Sequence, residues 1–110
     1  EYDSFQKNIE CIFKTIEADA LLYKIILNDE EMLGIERNLE NVLKNKLNNY
    51  IFGKMLIPKD LFLELLTSYY ICAIRWWLNN DMKYSPSFMA KELIKFLTIG
   101  PCRIAGDIKF

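Results

Sequence analysis

Residues 58–80 read PKDLFLELLTSYYICAIRWWLNN. Wound at about 100° per residue, this stretch gathers its polar side chains Asp60, Glu64, Ser68 and Arg75 on one narrow stripe and leaves the rest apolar. The apolar arc runs from Leu61, Leu65 and Cys72 through Phe62, Leu66, Tyr69, Ala73, Trp76 and Trp77 to Leu63, Tyr70 and Ile74. Such an arc is wider than one flank of a small domain covers. A helix of this kind therefore wants two partners, the chain's own core and a second surface, for which a second copy of the chain is the expectation.

The segments on either side read as further helices. Upstream, Phe5, Ile9, Ile12, Phe13 and Ile16 recur at spacings of three and four, so the periodicity predicts a helix from Ser4 to about Glu17 with Asp3 or Ser4 as its cap. A short apolar run, ALLYKIIL, follows and is expected to form a brief buried helix capped by Asp19. Asn28 with Glu31 has the spacing of a capping box, so a third helix should start there, with Met32, Leu39, Leu43, Leu47 and Tyr50 on one face and Ile35 and Val42 at its edge. IFGKMLI, ending in front of Pro58, connects it to the 58–80 helix. Downstream, Ser85 as cap, Pro86 at the first helical position and Gly100-Pro101 as the stop delimit the best-punctuated helix of the chain. No strand alternation or internal repeat interrupts this pattern, and the expected fold is an all-α single domain of five helices spanning 1–110.

Composition narrows the function. The 110 residues are 52% hydrophobic and 14% aromatic, with four glycines and three prolines, enough to bury about two-thirds of the unfolded surface. A net charge of −1 with scattered lysines provides no basic stripe for phosphates, so this chain alone is not expected to bind nucleic acid. The most apolar window carries Glu64, Thr67, Ser68 and Arg75 and argues against a membrane span. Glu1 rather than Met opens the chain, and no charged-then-apolar leader follows; a piece of a longer protein is the expectation. Cys11, Cys72 and Cys102 are odd in number and far apart, and fit buried thiols in a reducing cytosol.

The chemistry is sparse. Histidine is absent, which removes the commonest general base and a common metal ligand. No CxxC pair and no glycine-rich phosphate loop occur, Asp29-Glu30-Glu31 reads as a helix start rather than a metal site, and Cys72 reads as a core residue rather than a nucleophile. No catalytic residue, cofactor or metal is expected. Tyr69, Tyr70, Trp76 and Trp77, with Phe13 and Phe96, allow three readings: ordinary core, the wall of an apolar ligand cavity, or a subunit interface. The width of the arc supports the last of these most directly.

Over residues 68–97, SYYICAIRWWLNNDMKYSPSFMAKELIKFL, the chain resembles the C-terminal effector-binding and dimerisation domain of TetR-family transcriptional regulators. The shared features are an aromatic, small-residue-rich helix ending in Trp77-Leu78, the polar turn Asn79-Asn80-Asp81-Met82, Ser85-Pro86, and a Met89-Ala90 helix. The most similar subgroup includes regulators of dihydroxyacetone kinase operons. The resemblance implies that the last two helices pack against those of a second subunit as a four-helix bundle, with an effector bound among the preceding helices. It also implies a cytoplasmic regulator, most often a repressor, whose DNA contacts belong to an N-terminal helix-turn-helix absent from this chain. The dimer interface is then expected at Leu61, Leu65, Tyr69, Cys72, Trp76, Leu93, Phe96 and Leu97, and the effector pocket at Phe13, Tyr23, Leu43, Tyr70, Ile74 and Trp77. The competing expectation is a helical protein-interaction module without a small-molecule ligand.

Overall fold

In a computed structural model of the chain, residues 2–51 and 53–106 are described. Six α-helices run in the order α1 (Tyr2–Ala18), α2 (Ala20–Asn28), α3 (Leu33–Asn48), α4 (Lys59–Asn79), α5 (Pro86–Ile99) and α6 (Pro101–Ile104), with a 3-10 turn at Glu30–Met32. The architecture is all-α, as the periodicity predicts, with no strand among the described residues. The sixth helix is a single turn and lacks the length from which a period can be read.

The helices divide into two compact units, one formed by Glu1–Ala18 with Lys83–Phe110, the other by Asp19–Met82. In the first, α1 packs against α5 and α5 against α6. Ile9, Phe13 and Ile16 of α1 and Pro86, Met89, Ala90 and Ile94 of α5 are buried among its described residues. The three on α1 are spaced by four and three, and Met89 and Ala90 precede Ile94 by about one turn, which puts each set on one face of its helix. Ser85 begins α5 as anticipated: its Oγ accepts a hydrogen bond from the Phe88 amide at 3.1 Å, and Pro86 occupies the first turn, where no amide donor is required. Gly100 (φ 98°) ends α5 in a backbone conformation that side-chain-bearing residues rarely adopt.

In the second unit, α2 and α3 pack on each other and both pack on α4. Ile26 and Leu27, Leu43 and Leu47, and Thr67, Tyr70, Ile71, Ile74, Trp77 and Leu78 are buried. The three helices are also tied by polar groups. Arg75 Nε donates to the Leu27 carbonyl at 2.6 Å, and an outer guanidinium nitrogen reaches Glu36 at 3.0 Å. Leu27 lies in the last turn of α2, where carbonyls lack intrahelical partners, so Arg75 closes that helix from another element. Asn28 and Asn79 exchange two side-chain hydrogen bonds of 3.0 and 2.9 Å beside it.

Several local expectations are corrected. Helix α1 begins at Tyr2, so Ser4 lies inside it rather than at its cap. Asp19 makes no side-chain cap, and α2 buries only Ile26 and Leu27 while Leu21, Leu22 and Ile25 face solvent. Asn28 does not start a capping box: it is the last residue of α2, and Asp29 instead accepts from the Glu31 amide at 2.9 Å to begin the 3-10 turn. The thiols are not buried, since Cys11 and Cys72 are exposed and Cys102 is half-buried. Cys72 therefore is no core residue; it lies on the side of α4 away from Tyr70 and Ile74.

Replacing Arg75 by Ala should cost about 2 kcal/mol in urea unfolding, because it orphans a helix-terminal carbonyl and a half-buried carboxylate. Arg75→Lys should recover less than half, since one ammonium cannot reproduce the two divergent donors. Ser85→Ala should cost about 1 kcal/mol through loss of the α5 cap.

Candidate functional site

Helix α4 carries apolar side chains on two sides, and the structure assigns them different surroundings. Tyr70 (1% exposed), Ile74 and Trp77 (0%) face the interior. Thr67, Ile71 and Leu78 flank them toward the polar stripe and are also buried. On the other side, Leu61 (48% exposed), Leu65 (57%), Cys72 and Trp76 (45%) lie open. At about 100° per residue these four fall within roughly 60° of one another, nearly opposite the buried set. Tyr69 stands between the two sides, half-buried, with its ring edge-on to Tyr70 at 5.0 Å between centroids.

The residues expected at an interface divide between the units. Leu61, Leu65, Tyr69, Cys72 and Trp76 belong to α4 in the second unit; Leu93, Phe96 and Leu97 belong to α5 in the first. Phe96 and Leu97 are exposed and Leu93 is half-buried. Leu61, Leu65 and Trp76 thus place large apolar side chains in water at helical spacing on α4.

The residues expected around an effector are buried, except Tyr23, which is half-buried. Tyr70, Ile74 and Trp77 share one face of α4, Leu43 lies on the α3 that packs against it, and Tyr23 lies on α2. Phe13 belongs to the other unit. Thr67 adds a feature that sequence reasoning misses: its Oγ1 is buried and has no hydrogen-bond partner among the described residues. A threonine on a helix ordinarily satisfies its hydroxyl on the carbonyl one turn back. At about 100° per residue Thr67 lies roughly 20° from Ile74, at the margin of the polar stripe. Beside Ser68 and Glu64 in that stripe, a threonine gives no sign in the sequence that it is buried.

Among the described residues, no group of three or more His, Cys, Asp or Glu could hold a metal ion, and no helix is long and apolar enough to cross a membrane.

A family profile described as "Transcriptional regulator C-terminal region", of the TetR type, matches residues 3–98. The chain belongs to that family. The match covers all of α1 to α4 except Tyr2 and reaches the last turn of α5, so both faces of α4 lie within it. Regulatory domains of the TetR family are generally non-enzymatic. No curated protein matches the chain, and no solved structure does.

Burial pushes the Tyr69 phenol up to about 12. An unfolded-state tyrosine ionises near 10, so the folded form favours the neutral phenol. The stabilisation is complete below about pH 10 and is lost as pH rises from there toward 12. Unfolding free energies measured at pH values of about 9 and 11 should fall between the two, and the fall should be shallower in Tyr69→Phe; an unchanged slope would count against this assignment.

Proposed function

We propose that this chain is the dimerisation and effector-binding half of a TetR-family transcriptional regulator, acting in the cytoplasm, with DNA contact made by a helix-turn-helix outside these residues. The observation that carries the reading is the two-sidedness of α4. Its Tyr70–Trp77 side is satisfied inside the chain, while Leu61, Leu65, Cys72 and Trp76 present an apolar strip that a single copy leaves in water. A second copy covers that strip in a symmetric homodimer, and Leu93, Phe96 and Leu97 of α5 contribute to the same association. The lack of a basic stripe fits a division of labour in which this half senses and another half reads DNA. Repression is the mode we assign, and the resemblance of residues 68–97 to dihydroxyacetone kinase operon regulators favours that subgroup.

The effector reading rests on the buried aromatic and aliphatic set of Tyr70, Ile74, Trp77 and Leu43, together with the Thr67 hydroxyl. A buried hydroxyl without a partner is destabilising in the free protein and becomes favourable when a ligand atom meets it. A helical interaction module without a ligand is the second reading, and the exposed strip of α4 is compatible with it, because a different protein could cover the same side chains.

Leu61→Glu with Leu65→Glu should weaken dimerisation by about two orders of magnitude or more, since two carboxylates would be desolvated at the contact. Sedimentation across a concentration series checks this; a wild-type chain that stays monomeric at tens of micromolar sinks the dimer and moves the interaction module ahead. Thr67→Val should raise the stability of the free chain by about 1 kcal/mol while lowering the response of the full regulator to its effector. A destabilised Thr67→Val variant would show instead that the hydroxyl is satisfied in solution.

A further inference from the structure

Helix α2 is apolar on both sides: it buries Ile26 and Leu27 and is apolar outward as well. Its outward side carries Leu21 (75% exposed), Leu22 and Ile25, where polar residues are usual. A lone exposed leucine means little, but three aliphatic side chains within two turns, set beside a concavity, form a surface with a purpose. The concavity is a depression of about 740 Å³, open to solvent and lined by Leu21, Lys24, Ile25, Asn28, Asp29, Glu30 and Glu31. Leu21 and Ile25 are one helical turn apart and supply its apolar part. The turn after α2 supplies its acidic end, three carboxylates against the single ammonium of Lys24. Glu30 and Glu31 are exposed and take part in no ion pair among the described residues.

The depression is also braced. Asn28 is held by Asn79, the Leu27 carbonyl by Arg75, and the 3-10 turn by the Asp29 side chain, so its acidic end is set before any partner arrives. All of these groups belong to the unit formed by Asp19–Met82.

We propose that this groove receives a basic amphipathic helix of a partner protein. The occupant's apolar side chains, spaced by three and four residues, cover Leu21 and Ile25 while its lysines or arginines meet Glu30 and Glu31. The charge of the site selects the class. A local excess of carboxylates repels nucleic acid and anionic lipid surfaces, and the described residues offer no strand edge for an extended peptide to join. No residue of the exposed α4 strip lines this depression, and the proposal does not depend on the dimer or effector readings.

The test uses a fluorescein-labelled synthetic helix of about 14 residues built from leucine and lysine with leucines at helical spacing, and a counterpart with glutamate in place of lysine. Anisotropy with the 110-residue chain should show micromolar binding of the lysine peptide and at least tenfold weaker binding of the glutamate peptide. Leu21→Ser with Ile25→Ser should weaken the lysine peptide about tenfold or more, as should Glu30→Lys with Glu31→Lys, with circular dichroism confirming that each variant is folded. Glu17→Lys with Asp60→Lys makes the same change in net charge elsewhere and should alter binding by no more than about twofold. Equal losses in the two charge variants would reduce the effect to diffuse attraction and overturn the proposal. So would equal affinity for both peptides, absence of binding at about 100 μM, or a wild-type self-association that Leu21→Ser with Ile25→Ser abolishes, which would make a second copy the occupant.

Discussion

The last carbonyls of a helix have no partners of their own, and in the unit formed by Asp19–Met82 one of them, on Leu27, is met by Arg75. The same guanidinium holds Glu36, so a single side chain of α4 fixes the end of α2 and the beginning of α3. Arginine suits this because its donors diverge in a rigid plane. The Asn28–Asn79 pair, one helical turn further along α4, repeats the connection with neutral amides. Apolar packing brings the three helices together without prescribing their register, and these directional bonds select one arrangement.

With its register set, α4 has one satisfied side and one unsatisfied side. The breadth of its apolar arc is visible in the amino acids of residues 58–80 alone, and so is the expectation of two partners. Which side the chain's own core covers is not visible. The buried side extends through Thr67, Ile71 and Leu78 toward the polar stripe, because Arg75 in that stripe is drawn inward by Leu27 and Glu36 rather than left in water. Sequence periodicity treats an arginine as solvent-facing, whereas its long stem and a nearby carbonyl make a half-buried place acceptable.

Punctuation is legible where a local rule governs it. Ser85 and Pro86 begin α5 because cap and first-turn preferences act within four residues. Asn28 misleads for the complementary reason: its side chain has the right chemistry for a cap but bonds backward to Lys24 and across to Asn79, a residue far away in sequence. The composition of α2 suggests burial, yet a helix of this length on the flank of two longer ones covers only one side, which leaves Leu21, Leu22 and Ile25 outside. The buried set around Tyr70 and Trp77 is legible as apolar and aromatic. The orphaned Thr67 hydroxyl is not, because whether a helical hydroxyl finds a carbonyl depends on its rotamer.

The two units differ in how they can assemble. The one containing α2, α3 and α4 is continuous in sequence, whereas α1 and α5 meet only after the whole of Asp19–Met82 has been made and lies between them. Contacts within the continuous unit close short loops and can form early; the pairing of α1 with α5 closes a far longer loop and carries a larger entropic cost of closure. Compaction of the middle segment shortens that loop in effect. During synthesis, α1 emerges first of the six helices, and Ile9, Phe13 and Ile16 meet their α5 packing partner only once α5 has left the ribosome.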